Sequence, residues 1–173
     1  LGPPLIQRQP PATILLKNSQ PRWESVSVMT DHKPHREAAP TTVFVVDDEP
    51  SVRKAIRLML LAADHTVQEF PSAQELLEAL TTKRPGCVVS DVRMPGMDGM
   101  ELLQVLAGRD ADLPVVMLTA HGDIPMAVNA MKIGAVEFLE KPADADDLRR
   151  KVASALARNS NLESDRNECE GIK

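Results

Sequence analysis

From Thr42 onward the chain alternates five short apolar runs with five segments of helical period, and few architectures accommodate that alternation. The runs are TVFVV (42–46), TVQEF (66–70), GCVVS (86–90), PVVML (114–118) and AVEFL (135–139), of strand length and mostly rich in β-branched residues. Between the first two, segment 50–63 sets Val52, Ile56, Met59 and Ala63 on one stripe with Arg53, Lys54 and Arg57 outside it, as an amphipathic helix requires. Segments 72–81 (Leu76, Leu77, Leu80), 98–107 (Leu102, Leu103, Leu106), 124–133 and 144–157 complete the series. Asp98 and Asp123 stand where helix caps belong, Pro125 falls in a first turn, and Asp144, Asp146 and Asp147 gather at the positive end of the last helix dipole. Strands and helices in strict alternation through short loops predict an α/β fold: a five-stranded parallel sheet covered by helices on both faces.

A parallel sheet gathers the ends of its strands along one edge, where ligands of such folds bind. Four runs end on polar groups: Asp47-Asp48-Glu49 after the first, Asp91 after the third, Thr119 after the fourth and Lys141-Pro142 after the fifth. Each alone reads as a turn former, a cap or a solvated charge. Together they read otherwise. Three carboxylates at one edge repel one another unless they share a cation, and an all-oxygen set favours a hard ion such as Mg²⁺. A hydroxyl and an ammonium beside that ion suit phosphoryl oxygens, so Asp91 reads as a carboxylate placed to be phosphorylated. His121 has no second ligand at metal spacing and reads as a loop residue, while Met94, Met97 and Met100 read as loop packing.

Composition narrows the function further. With Lys+Arg 20 against Asp+Glu 25, a net charge of −5 and 2% aromatics, the chain lacks the basic field and stacking surfaces of a nucleic-acid binder. No apolar run approaches the roughly 18 residues of a membrane span. Cys87 and Cys169 match no disulfide or metal spacing, so a reduced, cytoplasmic protein is expected. Residues 1–41 carry scattered prolines and no sustained hydrophobic period, and are expected to be a disordered tail. The first methionine is Met29, as though part of that tail were foreign to the natural chain or an extended reading of its start.

The segments VVDDE (45–49), SDVRMPGMDG (90–99), LTAHGD (118–123) and EFLEKP (137–142), in this order and spacing, resemble the receiver domain of bacterial two-component response regulators. The resemblance covers residues 42–158, and HGDIPMAVNAMKIGAVEFLEKP is most similar to the FixJ-type subgroup of the NarL/FixJ class. It implies a flavodoxin-like doubly wound (βα)5 fold with strand order 2-1-3-4-5. It also implies that Asp91 takes a phosphoryl group from the phosphohistidine of a sensor histidine kinase. By the same resemblance Mg²⁺ would be held by Asp48, Asp91 and the backbone carbonyl of Arg93, with Asp47 acting through bound water. Lys141 would pair with the acyl-phosphate oxygens, Thr119 and Phe138 would move together as the switch, and the Lys141–Pro142 bond would be cis. Phosphorylation would drive a homodimer through the face between helix 124–133 and the fifth strand. Ala143 stands where Phe is frequent, which affects loop packing rather than the chemistry.

Relatives of this kind act on DNA through a helix-turn-helix output domain. None is read in these 173 residues, and 159–173 are expected to be a C-terminal tail or the start of a linker helix toward one. A single-domain receiver that signals by protein contact is the alternative. No activity is expected beyond self-catalysed phosphotransfer to Asp91 and autodephosphorylation. A Mg²⁺-dependent aspartyl phosphatase of the haloacid-dehalogenase type would need an acid two residues after the nucleophile, and Arg93 stands there. No G-x-x-x-x-G-K-[ST] loop exists to bind a nucleotide.

Overall fold

The structure is a computed structural model that describes residues 41–82, 84–109 and 113–170, with side chains described to Arg158. All but one residue of the expected N-terminal tail lies outside the described residues. The elements are β1 (Thr42–Val46), α1 (Pro50–Leu61), β2 (Thr66–Phe70), α2 (Ala73–Ala79), β3 (Gly86–Asp91), α3 (Gly99–Gly108), β4 (Val115–Thr119), α4 (Ile124–Ile133), β5 (Glu137–Glu140) and α5 (Ala145–Glu170). The strands form one five-stranded sheet in the order β2-β1-β3-β4-β5, every pairing parallel, as expected.

Strand periodicity explains how both faces are covered. In β1, Val43 and Val45 point into a core shared with Ile56 and Leu60 of α1 and Leu148 and Val152 of α5. Phe44 and Val46 point the opposite way, into a core with Leu76 of α2, Leu102, Leu103 and Leu106 of α3 and Ala130 of α4. A strand apolar at every position is what burial on both faces demands. The edge strand β2 is largely exposed, which is why TVQEF tolerates Gln68 and Glu69.

The helix starts obey local chemistry. Ser72 accepts from the Glu75 amide at 3.2 Å, and Asp123 accepts from the Met126 amide at 2.7 Å. Asp98 and Glu101 form a reciprocal capping box, the Asp98 carboxylate taking the Glu101 amide and the Glu101 carboxylate taking the Asp98 amide. Asp144 accepts the amides of Asp146 and Asp147 at 3.0 Å each. The expected capping roles of Asp98 and Asp123 are therefore met.

Several boundaries differ from the sequence reading. β5 begins at Glu137 rather than at 135, because the amides of Gly134 and Ala135 both turn back to the Ala130 carbonyl and finish α4. β3 and β4 each run one residue further, so Asp91 and Thr119 are last strand residues rather than the first of their loops. In α1 the buried pair is Ile56 and Leu60, and Ala63 lies beyond the helix, where Asp64 takes a positive φ of 60° and the His65 amide returns to the Leu60 carbonyl. α5 continues as helix to Glu170.

One glycine fixes the end of β3. The Gly99 amide donates to the Val92 carbonyl at 2.8 Å, bringing the start of α3 so close to the end of β3 that a Cβ on Gly99 would overlap the Asp91 carbonyl oxygen. The obstacle is backbone and cannot rotate away. Gly99→Ala is expected to cost about 1–3 kcal/mol, the usual penalty of overpacking, as a lower urea midpoint; an unchanged midpoint would show that the two segments separate freely.

Candidate functional site

The site lies at the C-terminal edge of the sheet, where residues that end or follow β1, β3, β4 and β5 meet. Asp47, Asp48, Glu49 and Pro50 come from the β1–α1 junction, Asp91 and Arg93 from the end of β3, Ala120 from after β4 and Lys141 from after β5. They line a cavity of about 470 Å³. Asp47, Asp48 and Asp91 each offer a carboxylate oxygen within 4.8 Å of the others. The three acids inferred from strand ends are thus brought together.

Their environments differ sharply. Asp47 is 1% exposed and fully engaged: its Oδ1 takes the Glu49 amide at 2.9 Å and its Oδ2 takes the Lys141 ammonium at 2.5 Å. Lys141 Nζ also reaches Asp91 Oδ1 at 3.0 Å, so one ammonium joins two buried carboxylates. Asp48 is exposed, and its carboxylate has no hydrogen-bond partner among the described residues. Three hard oxygen donors, one of them free to turn, fit a Mg²⁺ ion, and the exposed Arg93 stands at the same cavity. The Lys141–Pro142 bond is cis, as the resemblance implied.

Thr119 and Phe138 are placed beside the cavity rather than in it. Thr119 is buried, and its hydroxyl accepts from the His121 amide at 3.3 Å. Its carbonyl takes the Lys141 amide at 2.7 Å, which ties the end of β4 to the start of the Lys141 loop. Phe138 is partly buried against the core under α3 and α4. His121 is exposed in its loop, as read.

The sequence reading missed Arg53. It was placed on the outer face of α1, yet its guanidinium donates to the Asp47 carbonyl at 2.6 Å and pins the acidic loop from behind. Its only sequence signal is its place in the first turn after that loop. Glu49 serves through its amide, and its carboxylate holds the Ser51 hydroxyl at 2.7 Å. Cys87 is buried in β3 and its thiol is pushed up to about 12 by burial, which leaves it a packing residue.

Burial pushes the Asp91 carboxyl above its ordinary value, and the hydrogen bond and charge of Lys141 pull it back only in part; the charge of Asp47 adds to the rise and the Val92 amide opposes it. For Lys141, burial works toward a lower value, but the hydrogen bonds and charges of Asp47 and Asp91 outweigh it and leave the ammonium above its ordinary value. The folded chain therefore holds a proton on Asp91 to higher pH than the unfolded chain does. Raising the pH from the ordinary aspartate range through the folded value costs the native state, and Asp91→Asn escapes that cost while Lys141 keeps Asp47. Without divalent ions, the Asn variant is expected to unfold at a higher urea concentration than wild type at pH 7, the gap closing as the pH falls below the aspartate range. Equal midpoints at pH 7 would mean that Lys141 fully offsets burial.

With this geometry in view, comparison with known proteins gives a consistent result. The response regulator receiver domain family matches residues 43–153. The transcriptional regulatory protein FixJ of Bradyrhizobium diazoefficiens is 46% identical over 114 residues, which are 66% of this chain and 56% of FixJ. The C4-dicarboxylate transport transcriptional regulatory protein DctD of Pseudomonas aeruginosa is 50% identical over 118 residues, 68% of this chain and 26% of DctD. Among solved structures, the response regulator StyR superposes with a TM-score of 0.72 at 43% identity, covering 77% of this chain and 67% of StyR. The chain thus spans about half, or less, of the length of these curated relatives. A doubly wound sheet whose carboxylates and lysine converge at one edge, matched in sequence over residues 43–153, places the chain in the response regulator receiver domain family.

Proposed function

We propose that this chain is the phosphorylation-activated receiver of a two-component system, with Asp91 as the residue that takes the phosphoryl group from a sensor histidine kinase. The observation that carries the reading is the Asp91 carboxylate, held in the cavity by Lys141 with Asp47 and Asp48 alongside. An Asp91 oxygen attacks the phosphorus of a phosphohistidine, the P–N bond breaks with its electron pair going to the imidazole nitrogen, and Asp91 becomes an acyl phosphate. Asp48, the second Asp91 oxygen and the Arg93 carbonyl would hold Mg²⁺, with Asp47 acting through water. Bound there, the ion would neutralise the phosphoryl oxygens. Lys141 favours the ionised, nucleophilic form of Asp91 and faces the oxygens that arrive.

The same residues carry the signal outward. A phosphoryl group on Asp91 attracts the Thr119 hydroxyl away from the His121 amide, and Phe138 moves into the space vacated. A hydrogen bond to a charged group contributes about 1.5–3 kcal/mol, of the size that couples two sites. Next to β5, α4 exposes Ile124, Val128 and Met131, spaced to form one stripe. This apolar stripe is the face through which the phosphorylated receiver pairs with its copy. Output is transcriptional, as in the regulators it resembles, through a DNA-binding domain. Among the described residues no helix is long and apolar enough to cross a membrane, which supports a cytoplasmic setting. Arg93 at the cavity disfavours the phosphatase alternative, since a guanidinium supplies no proton near neutrality.

Incubation with acetyl phosphate and Mg²⁺ is expected to add one phosphate to the wild type and none to Asp91→Asn by intact mass. Asp48→Ala is expected to raise the Mg²⁺ concentration needed by about tenfold or more. Phosphate on the Asn variant, or an Asp48→Ala chain with the wild-type Mg²⁺ requirement, would refute the assignment.

Dimerisation has its own test. With beryllofluoride and Mg²⁺, light scattering is expected to show wild type shifting to twice the monomer mass, while Val128→Asp stays monomeric yet still accepts phosphate. A wild type that remains monomeric would remove α4 as the output face.

A further inference from the structure

Gly122 lies in the loop between β4 and α4, three residues after Thr119 and one before the α4 cap Asp123. Its φ lies outside the left-handed region, so its backbone is open to other residues. The obstacle is side-chain space. A Cβ on Gly122 would stand 2.9 Å from the Thr119 methyl carbon and 3.0 Å from Cε1 of the Phe138 ring. Carbon pairs rest at about 3.5–4.0 Å. The two groups that exclude a side chain at 122 are the two that the proposed switch must move.

We propose that Gly122 is a positioning residue of the switch: its missing side chain leaves the clearance in which the Thr119 methyl and the Phe138 ring rearrange together. This rests on the phosphorylation reading above. The His121 amide, immediately before Gly122, holds the Thr119 hydroxyl at 3.3 Å, and Asp123, immediately after it, holds the Met126 amide at 2.7 Å. The glycine therefore sits between the tether that Thr119 must leave and the cap that fixes α4. When the hydroxyl turns toward a phosphoryl group its methyl must swing as well, and the ring follows within the same small volume. An alanine there wedges into that volume and separates hydroxyl movement from ring movement. Gly122 does not line the acidic cavity, so phosphate acceptance itself is untouched.

The experiment uses the full chain labelled with 4-fluorophenylalanine, whose three phenylalanines, Phe44, Phe70 and Phe138, give three fluorine signals, the last assigned through Phe138→Leu. Wild type with Mg²⁺ and beryllofluoride is expected to shift the Phe138 signal. Gly122→Ala is expected to accept phosphate from acetyl phosphate to the wild-type extent while its Phe138 shift falls by about half or more. Adding Thr119→Ser keeps the hydroxyl and removes the colliding methyl, and this double variant is expected to recover most of the shift. A full wild-type shift in Gly122→Ala overturns the proposal, as does a double variant that recovers nothing, which would also expose a mere folding defect. A wild type whose Phe138 signal ignores beryllofluoride although Asp91 is phosphorylated overturns it too. A wild type that accepts no phosphate overturns instead the reading on which it rests.

Discussion

One ammonium shared by two buried carboxylates organises this molecule. Asp47 directly follows β1 and Asp91 ends the neighbouring central strand β3, so the sheet itself forces like charges together at its C-terminal edge. Two such charges in a protein interior are strongly unfavourable unless a cation joins them, and removing one member of a buried pair leaves the other uncompensated. Lys141 supplies the cation from β5, across the end of β4, at 2.5 and 3.0 Å. Its reach depends on the strand order: β5 must lie next to β4, and the Lys141 amide must anchor on the Thr119 carbonyl. Arg53 and the Glu49 amide hold Asp47 from the other side.

This arrangement leaves Asp91 under two opposed influences. Burial favours its protonated form and Lys141 favours its charge, and burial wins by enough to leave a net rise. Asp47, by contrast, has both oxygens satisfied, while Asp48 stands exposed. Three chemically identical side chains are thus differentiated by their surroundings: one anchors the lysine, one is available to a cation, and one is buried and charged only at a cost. Environment rather than residue type assigns such roles.

Much of this was legible in the sequence because it follows from period and position. Strands alternating with helices through short loops announced a sheet covered on both faces, and polar groups at the ends of four runs announced an edge site. Asp98 and Asp123 announced helix starts through short-range hydrogen bonds that depend only on their neighbours. What escaped depends on close approach between segments distant in sequence. Nothing in the composition of α1 says that Arg53 turns back to the Asp47 carbonyl instead of facing solvent. Likewise, the need for glycine at 99 and 122 arises from atoms of Asp91, Thr119 and Phe138 that the fold brings near. The start of β5 was misread because Ala135 and Val136 are apolar like a strand, while the two amides at 134 and 135 are spent on closing α4.

The position of β5 also explains how a change at the cavity can be felt elsewhere. It is an edge strand of four residues whose one strand partner among the described residues is β4. Within and just beyond it lie Phe138 and Lys141, three residues apart. Its opposite tie is Lys151 of α5, whose ammonium donates to Glu137 Oε2 at 3.0 Å and to the Phe138 carbonyl at 3.4 Å. The same short strand is therefore held by one lysine at the acids and by another at a helix that continues to Glu170. A shift of the Phe138 backbone would lengthen or redirect the Lys151 contacts, whereas the central strands β1 and β3 are paired on both sides. Beyond β4, the elements packed against that edge are α4 and α5.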